Sequence, residues 1–224
     1  MNKRTGDNGK DEMMKYPKIS EAVVRRLPLY LHYLNELSKN DVQTVSSLDL
    51  GRRLNVNPAQ IRKDLAYFGE FGKKGIGYDV AYLIEKIRNI LKLDREIRIA
   101  LVGAGNLGHA LCNYSVYLKE NMRIAAVFDA NPEKIGEKIN HLYVQPMNEL
   151  RDTVAQHNIR IGIITVPASA AQKVADQIVE AGVEAILNFA PSVIKVPKHV
   201  RVHYADFTIE LQSLAYYLQS KTEA

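Results

Sequence analysis

Glycines at positions 103, 105 and 108 follow an apolar run, Ile97 to Val102, and open a segment of helix-forming residues. In that setting Gly-x-Gly-x-x-Gly is a phosphate cradle. Gly103 makes the tight turn, Gly105 lets backbone approach a pyrophosphate, and Gly108 lets the helix pack close to the strand. Ala104, Asn106 and Leu107 complete the turn, and the helix that starts there offers unpaired N–H groups and a positive dipole end. Asp129 lies 21 residues beyond Gly108, at the end of a second apolar run. A carboxylate there accepts hydrogen bonds from an adenosine ribose and repels a 2′-phosphate, which favours NAD(H) over NADP(H). Thr165-Val166-Pro167 and Asn188-Phe189-Ala190-Pro191 each follow a further apolar run. Ligands of open α/β sheets sit at such strand ends, so both segments are expected against the nicotinamide half. The oxidised ring carries a positive charge that an apolar pocket penalises, and Phe189 and Val166 are expected to help form one.

A second group of residues has a different chemistry. Asn57, Gln60, Arg62, Lys63 and Tyr67 are polar or basic, while Ile61, Leu65 and Phe68 recur at steps of four and three. One face packs and the other can enter a major groove, with Arg62 or Lys63 on guanine or phosphate and Gln60 on adenine. Lys73, Lys74 and Gly75 stand at the tip of a glycine-rich segment suited to phosphates and the minor groove. Charge supports this division. Residues 1–93 hold 17 Lys+Arg against 11 Asp+Glu, and residues 94–224 hold 13 against 14. The basic excess is N-terminal, where nucleic acid is expected.

These groups need elements to hold them. Residues 1–15 are polar and charged and are expected to be a disordered tail. From Ser20 an amphipathic helix carries Val23, Val24, Leu27, Leu31, Leu34 and Leu37 on one face, with a kink or weak point expected at Pro28. Ser46 and Asp49 cap a short helix, and Asn57 with Pro58 opens a second one, running to about Phe68. The tight joint between them is a helix-turn-helix, and the glycine-rich segment through Tyr78 reads as the hairpin, or wing, that follows it. A connecting helix then ends near Leu93.

Beyond the glycine turn, helices alternate with continuous apolar strands at 124–129, 161–166 and 185–189, with a weaker extended segment at 139–144. That alternation means a parallel sheet covered on both faces. The fold class is therefore α/β, with a winged-helix domain over residues 16–93 and a Rossmann-type domain over 94–204. A last helix, 205–224, lies beyond the last clear strand, and its apolar face calls for a partner subunit.

The single cysteine, Cys112, excludes an internal disulfide framework and a cysteine-based zinc site, and suits a reducing cytoplasm. No apolar run is long enough to cross a bilayer, so no membrane is expected, and with one cysteine and no ligand spacing no metal is expected either. The six histidines form no triad or metal spacing. A dehydrogenase also needs a substrate domain, and only about twenty residues follow the sheet. The nucleotide reads as a signal rather than a reactant, and the chain as a non-enzyme.

Six segments share a wider pattern: Arg26-Leu27-Pro28-Leu29-Tyr30, Gln60 to Gly69, Gly72 to Tyr78, Gly103 to Gly108, Leu187-Asn188-Phe189-Ala190-Pro191, and Asp206. Together they resemble the bacterial redox-sensing transcriptional repressor family Rex, from about residue 16 onward. The resemblance implies a cytoplasmic homodimer that binds palindromic double-stranded operator DNA when NADH is scarce and releases it when NADH binds. It implies that the C-terminal helix is swapped between subunits. It also implies that Tyr114 and Asp206 couple the cofactor to domain orientation, with His32 at the place where some members carry an arginine. Two other readings stay open. One is an NAD-dependent oxidoreductase with a fused regulatory domain. The other is a DNA-binding protein that answers to coenzyme A or another adenine nucleotide.

Overall fold

Ser20 opens the first helix, α1 (Glu21–Lys39), by accepting the Val23 amide on its hydroxyl. The computed structural model describes residues 19–67, 72–73, 77–114 and 121–219. The chain divides into two compact units, one ending at Leu93 and the other beginning at Asp94.

In the first unit α1 buries Val23, Leu27, Tyr30, Leu31 and Leu34. It runs as one helix with Pro28 inside it. Pro28 and Val24 both lie on the exposed face, so the carbonyl that proline leaves without a donor stays open to water. Val24 is thus outside the core that its spacing implied, and Tyr30 is inside it. β1 (Thr44–Val45) follows, a strand too short to leave a sequence signal. The Ser46 hydroxyl accepts the Asp49 amide at 3.1 Å and donates to its carboxylate at 2.6 Å, opening α2 (Ser47–Leu54). Asn57 accepts the Ala59 amide at 2.8 Å and opens α3 (Pro58–Ala66). Each such cap is worth about 1 kcal/mol. The hairpin is present as β2 (Gly72–Lys73) and β3 (Gly77–Asp79), with β1 on the other side of β3 in a three-stranded sheet. Asp79 caps α4 (Val80–Ile90), which packs on α1 through Val80, Leu83 and Ile87.

The second unit is a seven-stranded sheet. Its strands are β4 (Ile97–Val102), β5 (Met122–Asp129), β6 (Lys138–Ile139), β7 (Leu142–Pro146), β8 (Ile161–Ile164), β9 (Ala185–Asn188) and β10 (Arg201–Tyr204). The spatial order is β10-β9-β8-β4-β5-β7-β6, parallel except for β6. Without β6 this is the 3-2-1-4-5-6 order of the doubly wound dinucleotide fold. Helices α5 (Asn106–Tyr114), α6 (Leu150–Gln156) and α7 (Ala168–Glu180) cover it. One core, under α6 and α7, gathers Val102, Phe128, Val154, Ile164 and Ile178; the other gathers Leu101, Cys112, Ile124 and Val127.

Two expectations are corrected here. The extended segment at 139–144 is a hairpin, turned at Asn140 in the left-handed region (φ 54°). The last strand expected is 185–189, but the sheet has a further one, β10, which pairs in parallel with β9. Its mostly exposed Arg-Val-His-Tyr sequence hides it among loop residues. The chain's last described helix, α8 (Phe207–Gln219), contains no buried residue among those described.

Candidate dinucleotide site and nucleic-acid interface

The glycine turn sits between the carboxyl ends of β4 and β8, where the strand order reverses. That crevice is where doubly wound sheets bind ligands. Gly103 has φ 111°, and a Cβ on it would lie 2.7 Å from the Thr165 carbonyl oxygen. A Cβ on Gly108 would lie 2.0 Å from the Gly103 carbonyl oxygen. At Gly105 the nearest atom to an added Cβ is the Lys134 Nζ, at 4.0 Å. Two glycines are therefore required by close packing, and the third leaves backbone open. This is the cradle that a pyrophosphate fits, and the residues present fit a dinucleotide.

Neighbouring groups hold the turn. The Thr165 hydroxyl bonds to the Gly103 carbonyl at 2.8 Å and the Val102 carbonyl at 3.1 Å. Asp129 stands at the end of β5, and its carboxylate accepts the Ala104 amide at 2.7 Å and the Asn131 amide at 2.8 Å. A carboxylate has capacity for further donors, so ribose hydroxyls can join these two amides. Lys134 donates to the Ala104 carbonyl at 3.0 Å and lies 3.7 Å from Asp129. The sequence reading passed over Lys134; its only signal was a lysine five residues after Asp129.

Asn188 is tied into the loop that follows β9. It is buried, its amide nitrogen donates to the Ala190 and Ser192 carbonyls, and its oxygen accepts the Ala190 amide. These bonds shape the loop after β9. Phe189 and Val166 are half-buried but lean on opposite cores: Val166 on that under α6 and α7, Phe189 on the other. A pocket lined by both would have to straddle the edge of the sheet. Ala190 is buried; Asn106, Leu107 and Pro167 are exposed. Tyr114 is exposed on α5, and Asp206 accepts the Thr208 amide at the start of α8. Burial pushes the Cys112 thiol up to about 11, so it stays protonated. Among the described residues no group of three or more His, Cys, Asp or Glu could hold a metal.

In the first unit α3 turns Arg62, Lys63 and Tyr67 outward, with exposed Asn57 at its start. Arg62 donates to the Ser47 hydroxyl at 3.0 Å. Gln60 is not turned outward as expected. It is half-buried, and its amide nitrogen donates to Asp64 at 2.7 Å. Lys73 lies in β2; Lys74, Gly75 and Phe68 fall outside the described residues. His32 is exposed on α1, 3.3 Å from Glu36.

The inner side of α3 holds a constellation that the sequence reading missed. Asp64 is fully buried, and Arg26 of α1 grips it with two bonds of 2.6 and 2.8 Å. Tyr30, one turn along α1, donates its hydroxyl at 2.6 Å. Burial pushes the Asp64 carboxyl up, but the bonds from Arg26, Tyr30 and Gln60 outweigh it and hold the group below its ordinary value. Burial and the bond to Asp64 push the Tyr30 phenol up, so it remains a donor. The signal available was Arg26 and Tyr30 at a four-residue step, with one acid inside the basic run of α3.

Known proteins match the chain in both units. Residues 18–66 match the family profile described as "Putative DNA-binding protein N-terminus", and residues 94–192 match "CoA binding domain". The redox-sensing transcriptional repressor Rex of Brevibacillus brevis is 65% identical over 92% of this chain and 100% of its own length. That of Chloroflexus aurantiacus is 49% identical over 91% of this chain and 96% of its own. A crystal structure of RSP in complex with beta-NAD+ and operator DNA superposes with a TM-score of 0.85, at 40% identity over 92% of this chain and 95% of that one. RSP in complex with beta-NADH gives 0.82, at 38% identity over 92% and 97%. The chain belongs to the redox-sensing transcriptional repressor Rex family.

Proposed function

We propose that this chain is an NADH-responsive repressor that binds operator DNA through α3 and the β2–β3 hairpin and lets go when NADH binds. The observation that carries this reading is the glycine turn, joined to Asp129 and placed at the switch point of a sheet, in the same chain as a capped basic helix. The relative RSP has been seen with NAD+ and operator DNA together, and separately with NADH, which supports the same pairing of ligands here.

The residues divide the work. Gly103, Gly105 and Gly108 admit the diphosphate, and Asp129 takes the adenosine ribose. Thr165 and Asn188 hold the two loops in shape. Arg62, Lys63 and Tyr67 face the groove of a palindromic duplex, with Lys73 at the wing. NADH must bind the DNA-releasing state more tightly than the DNA-bound state by a few kcal/mol, since equal affinity shifts nothing. Tyr114, Asp206 and His32 serve that coupling. A mobility shift on a palindromic operator duplex is expected to vanish with NADH and persist with NAD+. Persistence at saturating NADH would sink the redox reading, and steady NADH oxidation with a small carbonyl compound would favour the oxidoreductase.

The protein works as a homodimer through α8. Phe207, Leu211, Leu214 and Leu218 recur on one face of that helix and are 57–75% exposed. Burying a large apolar side chain is worth about 1.5–3 kcal/mol, so covering this stripe outweighs a large part of the cost of association. The double variant L211D/L214D is expected to sediment as a monomer and to lose operator binding. A dimer that survives both charges would remove α8 from the interface.

A further inference from the structure

We propose that Lys134 is the diphosphate-binding cation of the glycine turn; this rests on the dinucleotide reading above and deepens it. A dinucleotide brings two phosphate charges to a turn whose own resources are modest. The N-terminus of α5 supplies the equivalent of about half a positive charge. The Ala104 amide is already taken by Asp129, and the His109 amide by the Gly105 carbonyl. Lys134 brings a full charge to the one stretch of the turn with open backbone, 4.0 Å from where a Gly105 Cβ would stand.

The lysine is built to reach and to exchange. It ends a short 3-10 turn, Pro132–Lys134, whose start is capped by Asn131 on the Glu133 amide. Two residues on, the Gly136 amide bonds to the Val144 carbonyl of β7. The backbone is thus tied at both sides, and the half-exposed side chain is the part that can move. Its hydrogen bond to the turn goes to a neutral carbonyl at 3.0 Å, and Asp129 at 3.7 Å is an ion pair without a close hydrogen bond. A phosphate oxygen is a stronger acceptor for an ammonium than a peptide carbonyl. Lys134 therefore leaves the Ala104 carbonyl for the diphosphate while staying beside Asp129. Both redox forms carry the same diphosphate, so Lys134 sets affinity and leaves the choice between NADH and NAD+ to the nicotinamide end.

The test is calorimetric titration of the full chain and its K134M and K134R variants with NADH, NAD+ and ADP-ribose at several KCl concentrations. K134M is expected to weaken all three by about tenfold, the loss of one hydrogen bond to a charged group. Its affinity should also depend less steeply on salt, and K134R should recover most of the loss with the NADH/NAD+ ratio unchanged. ADP-ribose bound by K134M as tightly as by the wild type would overturn the proposal. So would a loss with an unaltered salt dependence, which would mean that Lys134 only braces the turn. Melting curves without ligand report whether each variant folds, and K134Q replaces K134M if that one does not. A wild-type protein that binds ADP-ribose but whose operator complex ignores NADH would sink the redox reading and leave Lys134 to be judged on ADP-ribose. Binding none of the three would sink both.

Discussion

Gly108→Ala is expected to weaken NADH binding roughly 100-fold, equivalent to about 2.7 kcal/mol, and to lower the melting temperature of the second unit. The cause is steric. The added methyl would stand 2.0 Å from the Gly103 carbonyl oxygen and 3.2 Å from a Leu101 methyl. Neither backbone nor strand can yield that much, so α5 must move off the sheet and take its first turn of amides with it. Overpacking of this kind costs about 1–3 kcal/mol even before ligand is considered. Gly105→Ala is the control. Its methyl meets nothing nearer than the tip of Lys134, so the fold should melt as the wild type does, while the diphosphate still loses its approach. Isothermal titration and differential scanning calorimetry separate the two. Equal melting temperatures for Gly108→Ala and Gly105→Ala would refute the packing account.

Asp64→Ala is expected to destabilise the first unit by about 3–5 kcal/mol, because it leaves the Arg26 charge and the Tyr30 hydroxyl without their shared acceptor. Denaturant unfolding of the full chain measures it, and operator binding should fall with it. Asp64→Asn keeps the size and one acceptor oxygen and should cost less. The carboxyl is held below its ordinary value of 3.8, which fixes the sign of the pH effect. Its contribution is complete above that ordinary value and is lost as pH falls through the lowered, folded-state value. Acid unfolding of wild type should therefore include a component below about pH 4 that Asp64→Asn lacks. The same acid transition in both proteins would show that the buried carboxylate does not control it.

Much of this was legible because periodicity and punctuation reported it directly. Ser20, Ser46 and Asn57 cap helices through side chains whose preference for such positions is local. The continuous apolar runs at β4, β5, β8 and β9 could only be buried strands. What stayed hidden depended on partners far along the chain. Asp64 sits 38 residues from Arg26, and a single acid among basic residues reads as an ordinary surface charge until the fold brings the arginine to it. β10 was unreadable because an edge strand with one face in solvent loses the apolar continuity of its neighbours. The intramolecular bonds of Gln60 to Asp64 and of Asn188 to the loop after β9 were hidden for the same reason: they depend on the folded backbone, not on residue type.

The bonds across the α1–α3 contact have a mechanical consequence. Arg26 and Tyr30 come from successive turns of α1, and both hold the same carboxylate on α3, so the joint resists twisting as well as sliding. Tilting α3 against α1 would strain both sets of bonds at once. A signal reaching this unit then moves the two helices together as one lever.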